Sequence, residues 1–323
     1  MAPVDVVVVS FNSRETLRDC VEPLCAEAGI TVIVVDNASS DGSVDSITDL
    51  PALVVRRSVN GGFASGCNAG WRTGTAPYVL LLNPDARIGP KGIRALARAL
   101  EDDPGAGIVA PRIVTSTGSV DFSQRRHPRA RSTFARALFL HRLSPRSAWA
   151  DELVRDEEQY RRPGTAEWVS GACLLVRRAI LEQLGGLDET FFMYSEDADL
   201  CRRTWNAGYS VRFEPAVTCV HEGGASASRG RLLPVLAASR IDYARRHGTR
   251  VGSLLERGGI ALGAATHLLA PRGGDVRAGH ARTLRVVVAR EPRAAALAAS
   301  GLRDVPEPDA DVPTASIDAS APS

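Results

Sequence analysis

Hydrophobic positions in this chain fall into short β-branched runs separated by stretches with helical spacing. Val4–Ser10, Thr31–Val35, Leu53–Arg56 and Tyr78–Leu82 read as strands, and their unbroken apolar character is that of a parallel sheet covered on both faces. Arg14 to Ala28 and Lys91 to Leu100 have helical spacing, so the chain opens with a β-α-β unit. A strand at Gly107–Ala110 follows the turn Asp102–Gly105. The pattern then lapses from Phe122 to about Arg162, where only Phe134–Leu143 suggests a short amphipathic helix. It resumes with a strand at Glu167–Val176, a helix at Arg178–Leu184, and a second helix ending at Asn206 before a Gly208 cap. Tyr209–Phe213 reads as a strand and Pro215–Val220 as an edge segment. Helices are predicted over Leu232–Arg246, Val251–Leu269 and Thr283–Ala298. The residues after Arg303 lack a core pattern and are expected to be disordered.

This arrangement gives an α/β fold whose loops at the carboxyl ends of the strands form the expected ligand crevice. Ser10-Phe11-Asn12 and Asp36 lie at two of those ends. Asp36 suits hydrogen bonds from a base or ribose, although an Asx turn would use the same residue types. Asn60 to Gly70 is a glycine-rich turn entering a helix. It lacks both the G-x-G-x-x-G spacing and the Gly-Lys-Ser/Thr of a P-loop. Its glycines admit a close ligand, and Asn60 and Asn68 offer hydrogen bonds. Asn83-Pro84-Asp85 ends the most hydrophobic strand, and Asp85 is a suitable seat for a divalent cation carrying a diphosphate. His221, at another strand end, is a candidate second ligand. Three carboxylates, Glu196, Asp197 and Asp199, follow the apolar run Phe191–Tyr194. They suit general-base chemistry beside hydroxyl positioning, or the acidic first turn that a helix dipole favours.

Composition adds bounds. The 323 residues are 44% hydrophobic and 24% charged with a formal net charge of +2, which creates no global field of one sign. Between Phe122 and Ser147 there are seven arginines and no Asp or Glu, a basic segment expected either to be mobile and approach an anionic acceptor or lipid head groups, or to be a merely solvated surface loop. No nucleic-acid partner is expected, because these arginines are not interleaved with stacking aromatics. Six cysteines (Cys20, Cys25, Cys67, Cys173, Cys201, Cys219) are scattered without a C-x-x-C pair, which fits a reducing compartment and no structural zinc. The start of the chain lacks a signal-peptide core, and no apolar run reaches membrane-span length. The expected location is cytoplasmic, peripheral on the inner face of the cell membrane.

Five ordered stretches, Val6–Asn12, Val34–Ser43, Asn60–Gly70, Leu80–Asp85 and Trp168–Ser226, resemble the family 2 inverting glycosyltransferases of the GT-A fold. The likeness is greatest to the bacterial branch with rhamnosyl- and galactofuranosyltransferases, and GGLDETFFMYSEDADLCRRTWNAGY with His221 is its most specific part. The resemblance spans roughly the first 230 residues. It implies a Rossmann-like mixed sheet flanked by helices (1–115 the nucleotide-sugar half, 116–166 a basic variable segment, 167–230 the acceptor and catalytic half). A C-terminal helical extension (231–303) and a tail (304–323) would follow. By resemblance, Ser10, Phe11, Asn12 and Asp36 form the floor for the nucleobase and ribose, and Asn60, Gly61, Asn68 and Asn83 contact the donor. Asp85 and His221 hold Mg²⁺ or Mn²⁺. Asp197 is the general base, Glu196 helps hold the acceptor hydroxyl, and Trp168 and Asp199 lie on the acceptor side. Asn83 departs from the family's D-x-D motif, whose first Asp it replaces.

The implied activity is inverting transfer of a sugar from a nucleotide-sugar to a lipid-linked or cell-surface glycan, with dTDP-rhamnose the first expected donor. UDP-galactofuranose, glucose or another UDP-sugar stand behind it. A sugar-nucleotide pyrophosphorylase is disfavoured, because Val6–Ser13 offers no basic, glycine-rich triphosphate signature. A non-catalytic carbohydrate- or lipid-binding relative would lack the metal Asp or the base, and both are present.

Overall fold

The computed structural model describes residues 2–144, 146–223, 228–269 and 273–302, and the backbone of 317–318. In chain order the elements are β1 (Val4–Ser10), α1 (Leu17–Cys25), β2 (Ile30–Asp36), β3 (Leu53–Arg56), α2 (Phe63–Thr73), β4 (Tyr78–Leu82), β5 (Ala86–Arg87), α3 (Pro90–Glu101) and β6 (Ala106–Val114). Then come β7 (Gln124–Arg125), α4 (Ala130–Ala137), β8 (Gly164–Thr165), β9 (Trp168–Val169), β10 (Cys173–Arg177), α5 (Arg178–Leu184), α6 (Glu196–Asn206) and β11 (Ser210–His221). The C-terminal part holds α7 (Arg229–His247), α8 (Arg250–Leu269), α9 (Gly274–Val288), α10 (Pro292–Ser300) and β12 (Ile317–Asp318).

The main sheet runs β12-β3-β2-β1-β4-β10-β6-β11-β5. Strands β1 to β4 are parallel, and β10 runs against both β4 and β6. Side chains alternate between two layers. Val6, Val8, Leu80 and Leu82 pack with α1 and α3, and Val7, Val9, Val79 and Leu81 pack with α2, α5 and α6. Each fully buried aliphatic side chain contributes about 1.5–3 kcal/mol, and this explains why the runs read as uninterrupted apolar stretches.

The order β3-β2-β1-β4 reverses direction between β1 and β4, so a crevice opens at their carboxyl ends. The antiparallel β10 brings its amino end, Cys173, opposite Leu82 at that same edge. A buried ion pair locks the opposite edge. Asp5 accepts from Arg178 Nη2 (2.6 Å) and from Ala76 N (2.8 Å), while Arg178 Nη1 donates to Trp71 O (2.7 Å).

Several elements differ from expectation. The strand expected at Glu167–Val176 is two strands, because Ser170-Gly171-Ala172 turns between β9, which pairs β7, and β10 in the main sheet. Tyr209–Phe213 and Pro215–Val220 are one strand, β11, with a register shift around Pro215. Thr283–Ala298 divides into α9 and α10 at Pro292, which begins the second helix. The basic segment is packed into the molecule. It forms α4 at Ala130–Ala137 rather than a helix at Phe134–Leu143, and α4 lies along α8, with Gly259 facing Thr133 and Phe134. Arg125 and Arg126 turn inward, Arg125 over Trp168 and Arg126 donating to the Leu153 carbonyl, while Arg131, Arg136, Arg142 and Arg146 are exposed, Arg136 pairing with the buried Asp151. The tail expected without structure lies outside the described residues, except that Ile317–Asp318 pairs with β3.

Candidate active site

Four chain segments meet at the carboxyl edge of the sheet. Ser10 and Asp36 are register partners at the ends of β1 and β2. The Ser10 hydroxyl is buried without a hydrogen-bond partner among the described residues. Asp36 Oδ1 accepts from Ser39 N (3.1 Å). Asn12 has φ +52°, and its side chain accepts from Ser40 N (2.9 Å), which ties the Ser10–Asn12 turn to the loop after β2. Phe11 is half-buried beside it.

The glycine-rich turn is stiffened from within. Asn60 Oδ1 accepts from Asn37 Nδ2 and Gly62 N, both at 3.0 Å. Gly62 adopts φ +88°, and a Cβ there would collide with the Phe192 carbonyl. Phe63 N donates to that carbonyl (2.7 Å), so the turn is fastened to the segment leading into α6. Gly61 lies against the Arg57 guanidinium, which donates to Asn37 Oδ1 (3.1 Å) and Ser65 Oγ (2.9 Å).

After β4, Asp85 Oδ1 stands 3.3 Å from His221 Nε2, and Asn83 Nδ2 lies 3.4 Å from that nitrogen. Burial opposes ionisation of Asp85, but the hydrogen bond and charge of His221 outweigh it and hold the carboxyl below its usual range. Burial also disfavours the His221 imidazolium, and Asp85 more than compensates, so the His221 pKa is raised. No group of three or more His, Cys, Asp or Glu side chains suited to a metal occurs among the described residues. One carboxylate and one imidazole do fit a cation that takes its remaining oxygens from substrate phosphates and water.

The turn between β9 and β10 joins this centre to α6. Asn83 N donates to Ala172 O (2.9 Å), and Gly171 N donates to Asp197 Oδ2 (3.0 Å). Asp197 Oδ1 accepts from Ala198 N (2.8 Å), and the carboxylate has no ion-pair partner among the described residues. Burial pushes its pKa up, partly offset by those backbone N–H groups and by the charge of Arg125. Glu196 is 5% exposed with Oε2 unpartnered among the described residues, and burial, then the charge of Asp197, push its pKa well up. The two residues before them, Tyr194 and Ser195, both sit in the left-handed region (φ +70° and +68°). Strain of that kind costs about 1–3 kcal/mol per residue and collects at functional sites.

Three expected site residues are used otherwise. Asn68 spends its whole amide on the fold: it donates to Leu187 O and Glu189 Oε1 (both 2.8 Å) and accepts from Leu187 N and Trp71 Nε1. No capacity remains for a donor contact. Asp199 is fully buried and binds Arg203 Nε and His247 Nε2, both at 2.7 Å, so it anchors α7 rather than an acceptor. Trp168 is 8% exposed, its indole N–H donates to Arg126 O (2.8 Å), and Arg125 lies 5.2 Å from the ring centre. It is a core tryptophan, not an open sugar platform. Gly171, whose N–H binds the Asp197 carboxylate, and Arg125, whose charge acts on it, are not among the residues the sequence pattern singles out. The Ser-Gly-Ala break after Trp168-Val169 is the available signal for Gly171. Nothing local marks Arg125.

The mixed α/β sheet with its switch-point crevice, flanked by helices, has the GT-A architecture of glycosyltransferases. The sequence model of Glycosyl transferase family 2 matches residues 5–185, and the chain belongs to that family. The acidic cluster and His221 lie beyond the matched segment. The chain is 31% identical over 307 residues to the N-acetylglucosaminyl-diphospho-decaprenol L-rhamnosyltransferase of Mycobacterium tuberculosis, covering 88% of this chain and 98% of the relative. Among solved structures, a mannosyltransferase from Pyrobaculum calidifontis in complex with GDP-Man and Mn²⁺ superposes with a TM-score of 0.53 at 18% identity, covering 93% and 86% of the two chains. GalNAc-T7 with UDP, GalNAc and Mn²⁺ superposes at 0.55 and 13% identity, covering 76% and 48%. Both show the fold alone.

Proposed function

We propose that this glycosyltransferase moves rhamnose, with inversion, from dTDP-rhamnose to a hydroxyl of a glycan carried on a lipid diphosphate. The Asp197 carboxylate carries this reading. It is fixed by the Gly171 and Ala198 N–H groups, has no ion-pair partner among the described residues although the Arg125 charge acts on it, and is biased toward holding a proton. Such a group takes the acceptor proton as the hydroxyl attacks the anomeric carbon, and a single displacement needs no protein nucleophile. Glu196 shares the site and steadies the hydroxyl. Ser10 and Asp36 face the nucleoside, and Asp85 and His221 would hold Mg²⁺ or Mn²⁺. When bound, the cation would stabilise charge on the departing diphosphate.

The choice of rhamnose and of a lipid-linked acceptor rests on the mycobacterial relative, whose name states both. No helix among the described residues is long and apolar enough to cross a membrane. Peripheral contact is favoured by Leu138, Leu143 and Leu269, which are 50%, 83% and 89% exposed, and by the exposed Arg142, which lies over Phe139. Flotation with anionic liposomes tests that contact.

The primary experiment is calorimetric titration with dTDP-rhamnose against UDP- and GDP-sugars, with Mn²⁺ and then with chelator. Metal-dependent preference for dTDP-rhamnose is expected. Preference for a UDP-sugar would replace the donor, and undiminished binding under chelation would remove the role given to Asp85 and His221.

A further inference from the structure

Helices α7 to α10 lie beyond the segment that matches the family, which ends at residue 185, yet their far end comes back to the glycine-rich turn of the crevice. Asn60 Nδ2 donates to the Leu302 carbonyl (3.4 Å), although the two residues stand 242 positions apart. The Leu302 side chain is 6% exposed and belongs to a buried cluster with Phe192, Val235 and Leu297. Phe192 is the residue whose carbonyl accepts from Phe63 N and stands against Gly62. Leu302 therefore meets both sides of one junction. Its carbonyl holds the turn, and its side chain backs the segment that leads into α6.

The end of α10 is built to hold Leu302 in that place. The last carbonyls of a helix have no partner within it, and Arg231, near the start of α7, takes two of those at this end. Its Nε donates to Ser300 O (2.8 Å) and its Nη2 to Gly301 O (2.9 Å). Gly301 adopts φ +60°, which turns the chain out of the helix, and Leu302 N donates to Ser300 Oγ (3.3 Å). Asn60 is equally constrained. Its Oδ1 accepts from Asn37 Nδ2 and Gly62 N, and one amide proton goes to Leu302. A single proton of that side chain is left for a ligand.

We infer that Leu302 is a positioning residue for the nucleotide-sugar. The C-terminal helices set the conformation of the Asn60–Phe63 turn through it, and so set donor affinity by acting through Asn60 and Phe192 rather than by touching the donor. This inference rests on the donor site proposed above. Coupling carried through packed side chains and hydrogen bonds changes an affinity by about two- to thirtyfold, which is within reach of a binding measurement.

The test measures calorimetric binding of dTDP and UDP in Mn²⁺, and amide hydrogen exchange of the ligand-free protein, both on the full chain. Leu302→Ala should weaken binding of the preferred nucleotide about tenfold, roughly 1.4 kcal/mol. It should also speed exchange of the Gly62 and Phe63 amides, which are bonded to Asn60 Oδ1 and Phe192 O. Arg231→Gln, which releases the end of α10, should change both readouts in the same direction. Leu302→Met, close in volume, should restore both. Val286→Ala opens the separate cluster of Val286, Ala238 and Ala296. It should lower Tm without moving either readout, which separates positioning from a general loss of stability. Unchanged nucleotide affinity in Leu302→Ala overturns the inference. Faster exchange in that same variant would then trace the failure to a donor bound elsewhere, and unchanged exchange would trace it to Leu302 not holding the turn. Tighter binding also overturns it, by making Leu302 a block on the crevice. Binding of neither nucleotide by the parent protein overturns it together with the donor reading.

Discussion

Asp197 holds a carboxylate that burial discourages from ionising and two backbone N–H groups encourage. A general base works only when deprotonated. For Asp197 as the proposed base, the raised pKa places the acidic limb of kcat/KM above the ordinary Asp value of about 3.9, with activity lost as pH falls through the higher value. Arg125→Gln removes a charge that favours the ionised form and should move that limb further up, which a pH–rate profile measures directly. Asp197→Asn should lower kcat by about 10²–10⁴ while calorimetry finds donor affinity intact, and retained turnover would end the assignment. Legibility at this scale follows chemistry that is local in sequence. Asp85 and Asp197 stand out because strand ends and acidic clusters are visible in a linear pattern. Asn68, Asp199 and Trp168 carry equally suggestive side chains, yet their partners (Leu187, His247 and Arg126) are distant in sequence, and those partners consume their polar atoms.

Elements are most legible where one rule governs many residues, as in the doubly buried strands of the main sheet. They are least legible where a single residue redirects the chain: Gly171 between β9 and β10, and Pro292 between α9 and α10. Gly62 shows how much one such residue can carry. With φ +88° and the Phe192 carbonyl standing where a side chain would begin, Gly62→Ala meets both backbone strain and a clash with main-chain atoms. A loss of about 1–3 kcal/mol, seen as a lower Tm, should come with weaker donor binding, because the turn and the segment before α6 separate together. Across the sheet, Arg178→Met should cost about 3–5 kcal/mol by leaving Asp5 buried without its cation. A denaturant midpoint close to that of the parent protein would show that Ala76 N alone satisfies Asp5.

The whole molecule is joined by contacts that no local pattern announces. Helix α7 reaches the segment that leads into the proposed catalytic carboxylates through Ser239, which donates to Met193 O (2.7 Å), and reaches α6 through His247. Arg240, on the same helix, donates to Glu152 and Glu256 and so fastens the basic segment to α7 and α8. Burial opposes ionisation of Glu152, but Arg240 prevails and lowers its pKa from 4.5 to about 2. A carboxylate depressed in the folded state contributes stability that is complete above its unfolded pKa and fades as pH falls from about 4.5 to about 2. Arg240→Met should therefore cost about 3–5 kcal/mol near neutrality, since two buried carboxylates lose their cation. Without Arg240, Glu152 loses the largest influences that lower its pKa and keeps only the Ser132 hydrogen bond and the Arg136 charge against burial, so the fall in Tm on acidification below about pH 4.5 should flatten. Replacing Arg240, Glu152 and Glu256 together with apolar residues of similar size should recover most of the loss, because the desolvation cost disappears with the charges. Thermal melts of the three proteins between pH 2 and 8 distinguish a charge-governed lock from simple packing, for which all three curves would share one slope below pH 4.5.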